Sequence, residues 1–275
     1  MKRTIAAFAL LAAVACTGNA APATGELRIN GSNVFGETLG PRLVRSFTQA
    51  NRDLVVSLRR PGTAEGLQAL VEGKADIAPT SRLPDRREQR AARAAARTEI
   101  VAHPAAIYAV RIIVHESNPV KSLTAAQVRD LFSGRITNWK QVGGHDMPVQ
   151  VFVLGTNTGA RAGFQEVAMN GRNYARTALA LPDYGEIAHR VSTQASGLGY
   201  TALGPLPERV VAVPVNGIAP TPATIREGNY PFARPLWLCT LRGRESANAR
   251  LFLDFVSSSA ARRIITRAGY VTVEK

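Results

Sequence analysis

The sequence predicts an α/β protein built as two lobes, with a late return of the chain to the first. Three observations predict it. Before residue 104, strand-like runs are followed repeatedly by a short polar turn and then a helical pattern. The same order recurs between 105 and 212. The last stretch, 213–275, reads as further strands and two helices that complete the first lobe. Strand, turn and helix in that order make parallel sheets covered by helices, with the turns gathered at the carboxyl ends of the strands.

The first twenty residues stand apart. Lys2 and Arg3 precede an unbroken apolar run over 5–15, and small residues lead to Ala20. This is the pattern of a secretory signal peptide over 1–20, too short to anchor the chain in a bilayer. Cleavage after Ala20 implies a periplasmic or secreted protein. A lipid anchor at Cys16 is the alternative, disfavoured because Ala13 stands where such sites prefer leucine. After cleavage only Cys239 remains, which leaves no internal disulfide and reads as a buried core thiol.

In the first lobe, 26–104, Glu26-Leu-Arg-Ile-Asn30 alternates as a strand and Gly31-Ser-Asn makes its turn. Leu39, Leu43, Val44 and Phe47 then recur at helical spacing. A second strand over 54–58 leads through Gly62 and Thr63 to a helix carrying Leu67, Leu70 and Val71. A third strand reaches Thr80-Ser-Arg82. A break is expected at His103-Pro104. In the second lobe, 105–212, the run 106–114 is the most strand-like of the chain, and Thr124-Ala-Ala-Gln127 is a capping box. A strand over 149–154 enters the loop Gly155-Thr-Asn-Thr-Gly-Ala-Arg161, and a helix with Phe164 and Val167 follows. Strands at 199–202, 210–215 and 235–241 and helices at 247–257 and 259–268 close the sequence.

Charge and motif exclude several functions. The chain carries +14, and losing Lys2 and Arg3 leaves +12. Such a balance steers anions. Its densest patch, 82–99, is an alanine-rich helix pattern read as a solvated face, with protein docking as the alternative. No aromatic interleaving or zinc-finger spacing supports nucleic-acid binding. His103, His115, His145 and His189 are scattered, and neither a zinc pattern nor Gly-x-Ser-x-Gly occurs. A metalloenzyme or serine hydrolase therefore has no starting point, and no cofactor is expected.

The turns at Gly31-Ser32-Asn33, Gly62-Thr63-Ala64 and Thr158-Gly159-Ala160 share one character. Each joins a strand to a helix start, where unpaired N–H groups and the helix field favour an anion. Arg161, Arg82 and Arg60 are the candidate cations beside them. Asp76 and Glu65 are candidate carboxylates, and Trp139 and Trp237 read as packing residues.

A resemblance emerges from these segments. Gly31-Ser-Asn-Val-Phe35, Gly73-Lys-Ala-Asp-Ile77 with Thr80-Ser-Arg82, and Leu131-Phe-Ser-Gly-Arg-Ile-Thr-Asn-Trp-Lys140 resemble the phosphate-binding proteins of high-affinity phosphate ABC importers. So do 155–164, Ser196-Gly-Leu-Gly-Tyr200 and Tyr230-Pro-Phe-Ala-Arg-Pro-Leu236. The resemblance implies a type II periplasmic-binding-protein fold, with one dehydrated phosphate held in the cleft between lobes. It implies that Ser32, Asn33, Val34, Gly62, Thr63, Ser81 and Arg82 bind from the first lobe. Asn157, Thr158, Gly159, Ala160 and Arg161 would bind from the second. It also implies a monomer that delivers to a membrane permease and its ATPase. Against the family pattern, Asn33 and Ala160 stand where threonines are usual, and Leu154 where an arginine is. Binding of a different small anion, or a docking or sensing role for an altered cleft, is the alternative reading.

Overall fold

The first strand begins at Gly25, and the computed structural model describes residues 25–155 and 159–273. The expected signal peptide and Cys16 lie outside the described residues. So do Asn157 and Thr158.

The first sheet starts with β1 (Gly25–Asn30), whose buried Leu27 and Ile29 alternate with polar residues facing the other way. A π-helical segment, Phe35–Leu39, leads into α1 (Gly40–Ala50). The chain returns as β2 (Leu54–Arg59), which pairs parallel to β1 with Leu27 opposite Val56. Next come α2 (Thr63–Val71), β3 (Ala78–Thr80), α3 (Arg86–Ala96) and β4 (Ile100–Ala109). A parallel bridge from Ile29 to Ile77 joins the β1–β2 pair to the start of β3.

The second sheet opens with β5 (Arg111–His115), followed by α4 (Ala125–Phe132). The capping box is present: Gln127 N–H donates to Thr124 Oγ1 at 3.1 Å, and Thr124 N–H to Gln127 Oε1 at 2.7 Å. Then come β6 (Gln150–Leu154), α5 (Gly159–Met169), β7 (Leu179–Leu181), α6 (Tyr184–Thr193), β8 (Gly197–Thr201), β9 (Val210–Val213) and the short α7 (Pro222–Arg226). The strand order is β7-β6-β8-β5-β9. β10 (Ala233–Leu241) then re-enters the first sheet between β3 and β4, antiparallel to both. Finally α8 (Ala247–Val256) and α9 (Ser259–Arg267) pack against the first sheet's helices.

The break expected at His103-Pro104 is a correction. β4 runs straight through it, because the register shifts there: Leu236 pairs with Ala106 and Trp237 with Pro104, which leaves Ala105 as an extra, bulged residue of β4. Proline has no N–H for the ladder, and a bulge relieves the lost bond without ending the strand. The chain leaves the first sheet only at Val110, whose N–H donates to Phe232 O. On the return side, Val215 and Asn216 still bond to Leu123, so 214–216 stay with the second sheet.

Aromatic rings fill both interiors. Phe47 meets Phe252 edge-on at 5.1 Å in the first lobe. Phe164 stacks on Tyr200 at 4.0 Å in the second, with Phe132 edge-on to Phe164. Trp139 is fully buried and donates its indole N–H to Ser196 O. Cys239 is buried beside Thr80, and burial pushes its thiol up to about 11, so it stays protonated at neutral pH.

Candidate anion site between the lobes

β1, β2 and β3 end side by side, and their turns are tied to one another. Gly31 N–H donates to Arg59 O, Gly62 N–H to Gly31 O, and Ser32 N–H to Pro79 O. The first helical bond after β1 runs from Gly36 N–H to Ser32 O. The N–H groups of Asn33, Val34 and Phe35 therefore precede any acceptor in their own helix. Likewise Gly66 N–H bonds Gly62 O, so those of Thr63, Ala64 and Glu65 open α2. Gly62 takes φ 125°, a conformation that only glycine adopts without strain.

One cavity of about 180 Å³ lies at this junction. Ser32, Asn33, Val34, Gly62, Thr63, Ser81 and Arg82 wall it from the first lobe. Ala162, Gly163 and Glu166 of α5 wall it from the second. Ser32 is buried, and its hydroxyl makes no hydrogen bond to another described residue. Thr63 Oγ1 accepts from Ser81 N–H at 3.3 Å and lies 3.4 Å from Ser81 Oγ, which fixes two hydroxyls together. A hollow of about 300 Å³ beside His103, Glu245 and Arg250 contains none of the three turns.

All seven expected first-lobe residues thus share one cavity. On the other side, Ala160 and Arg161 are not among its walls. The Ala160 carbonyl accepts from buried Tyr108 Oη at 3.3 Å. Arg161 is drawn to the Leu154 carbonyl, and its guanidinium lies 4.2 Å over the Tyr174 ring. A ring face and a carbonyl together accommodate a guanidinium. Gly159 opens α5 just before them. Leu154 is buried in the second-lobe interior. Asp76 is bound by the Arg28 N–H and guanidinium and is likewise not a wall of the cavity.

The family model described as a PBP superfamily domain matches residues 17–260. The chain belongs to the PBP superfamily. This PBP-superfamily chain is 26% identical over 256 residues to the phosphate-binding protein PstS of Bacillus subtilis, covering 91% of this chain and 82% of that one. A crystal structure of an ABC-type phosphate transport receptor from Vibrio cholerae superposes with TM-score 0.76 at 25% identity. That match covers 90% of this chain and all of the other. A Clostridium perfringens structure with bound phosphate superposes with TM-score 0.62 at 25% identity, over 91% of this chain and all of that one. The fold is accordingly the two-lobed type II arrangement, with the cleft between lobes. Among the described residues, no helix is long and apolar enough to cross a membrane.

Proposed function

We propose that the protein is an exported receptor that captures phosphate non-covalently and hands it to an ABC-type importer. The observation that carries the reading is the shared cavity, where two helix starts, the Ser81–Arg82 strand end and α5 face one another. Its relatives' names support phosphate as the ligand. A dehydrated tetrahedral anion needs many fixed donors in place of water, and backbone N–H groups supply them without reorganisation. Glu166 adds a carboxylate that makes no bond to another described residue. A carboxylate facing an anion repels it unless the anion brings a proton, which favours hydrogen phosphate over sulfate.

Isothermal titration with inorganic phosphate tests this. One saturable site at micromolar concentration or tighter is expected, little displaced by excess sulfate; no saturable binding would overturn the proposal. Arg82→Ala removes a charge-assisted donor worth about 1.5–3 kcal/mol, so the same titration should show affinity lowered by about 10- to 150-fold.

A further inference from the structure

Arg82 stands on the cavity wall, but one edge of its guanidinium is already committed. Nη1 and Nη2 donate to the two oxygens of Glu88, each at 2.7 Å, and Nη1 also donates to Leu83 O at 3.1 Å. This end-on fork leaves the side edge, Nε–H and the outer Nη2–H, without a partner among the described residues. Two parallel N–H groups match two oxygens of a tetrahedral oxyanion.

Glu88 is itself held in place. It is the third residue of α3, and its Oε2 accepts from Asp85 N–H at 2.8 Å while Asp85 Oδ1 accepts from Glu88 N–H at 2.8 Å. Its side chain is 17% exposed, against 44% for Arg82. The carboxylate is thus the fixed post and the arginine the longer chain tied to it. The hydrogen bond from Arg82 holds the Glu88 carboxyl below its usual range, and the same bond raises Arg82. Both groups are charged at neutral pH.

Resting on the anion reading of the cleft, we infer that Glu88 is a positioning residue: it fixes Arg82 so that the uncommitted side edge is offered to the ligand. A free arginine would have to be ordered at each binding event, and the capping box moves that entropic cost into folding. The Glu88 charge also lowers the local positive potential, an opposing effect that salt screens.

Glu88→Gln separates the two. Glutamine still serves the capping box but cannot accept a guanidinium fork on both of its terminal atoms. In titrations of the purified protein with inorganic phosphate at an ionic strength of about 1 M, where the screening length is about 3 Å, Kd should rise about tenfold. The melting temperature should hold. In an Arg82→Ala background the same change should move Kd less than about twofold, because the post then holds nothing. Equal loss in both backgrounds would make Glu88 a merely structural residue, and unchanged or tighter binding with Arg82 present would equally overturn the inference. Failure of the parent protein to bind phosphate would remove the proposed function as well, whereas parent binding that ignores Glu88 removes this inference alone. Glu88→Asp, one methylene short of the fork, gives the same readings if the glutamine variant does not fold.

Discussion

Gly163→Leu is expected to weaken phosphate binding by about a hundredfold while leaving the ligand-free protein folded. A Cβ at Gly163 would lie 3.0 Å from Val34 Cγ2, on the first-lobe turn, and 3.4 Å from Tyr108 Cε1. Neither neighbour can retreat far. Val34 is 7% exposed and its carbonyl accepts from Tyr270 Oη, while Tyr108 is buried and bonds the Ala160 carbonyl. A leucine in that space imposes overpacking of about 1–3 kcal/mol, or about 5- to 150-fold in affinity if it acts only on the closed form. Opening the cleft relieves the clash, so the ligand-free melting temperature should change little. Opening also removes α5 from opposite the N–H groups of 33–35, so the donor set is no longer closed. Titration and small-angle scattering check both halves. Parent-like affinity would show that the lobes do not close on this contact. Gly163→Ala should show only a small loss, since one methyl asks a few tenths of an ångström of Val34 and alanine also favours the helix.

The contrast between the two sides of the cleft explains what the sequence could show. Each first-lobe turn is a small or polar group between an apolar strand and a helical period, so Ser32, Thr63 and Ser81 are visible from local pattern alone. The parallel pairing of β1 with β2 then brings the Ser32 and Thr63 turns together, and the Ile29–Ile77 bridge sets Ser81 beside them. Gly163 and Glu166 sit inside a helix, and the face of α5 that meets the cleft depends on how the lobes are set against each other. No local spacing encodes that. The Tyr174 ring that lies against Arg161 is 13 residues on, across a turn, a contact that no local spacing encodes. Arg82 was visible; its tie to Glu88 was not, since it depends on where α3 begins. The two-lobed α/β class was legible because strand–turn–helix order survives every local ambiguity. The helix α6 has no clear signature in the sequence because its buried stripe, Ile187, Ala188 and Val191, is short and set among polar residues. His103-Pro104 reads as a boundary because proline usually ends a strand, whereas here the strand continues through a bulge at Ala105 that becomes visible only when β4 is paired with β10.

Gly31→Ala is expected to cost both stability and binding, because Gly31 is the residue on which the three strand ends meet. A Cβ there would stand 2.2 Å from the Pro79 carbonyl oxygen and 3.0 Å from the Pro79 nitrogen, both backbone atoms of the neighbouring strand. A side chain could rotate away; a strand cannot. Moving the turn off Pro79 breaks the Ser32 N–H bond to Pro79 O at 2.8 Å and strains those from Gly31 to Arg59 and from Gly62 to Gly31. Overpacking of this kind costs about 1–3 kcal/mol and a broken buried bond about 1 kcal/mol more. At about 2–4 °C per kcal/mol for a chain of this size, the melting temperature should fall by roughly 4–16 °C. Phosphate affinity should fall with it, since the displaced turn carries the N–H groups of 33–35. Gly66→Ala separates close approach from glycine flexibility. That residue lies inside α2, where alanine would ordinarily stabilise by about 1 kcal/mol, but its Cβ would stand 2.4 Å from Asn30 O. A loss of stability there can come only from the helix pressing on the end of β1. Unchanged melting in both variants would mean that the turns are not packed as tightly as the cavity requires, and that donors from separate strands do not converge on one ion.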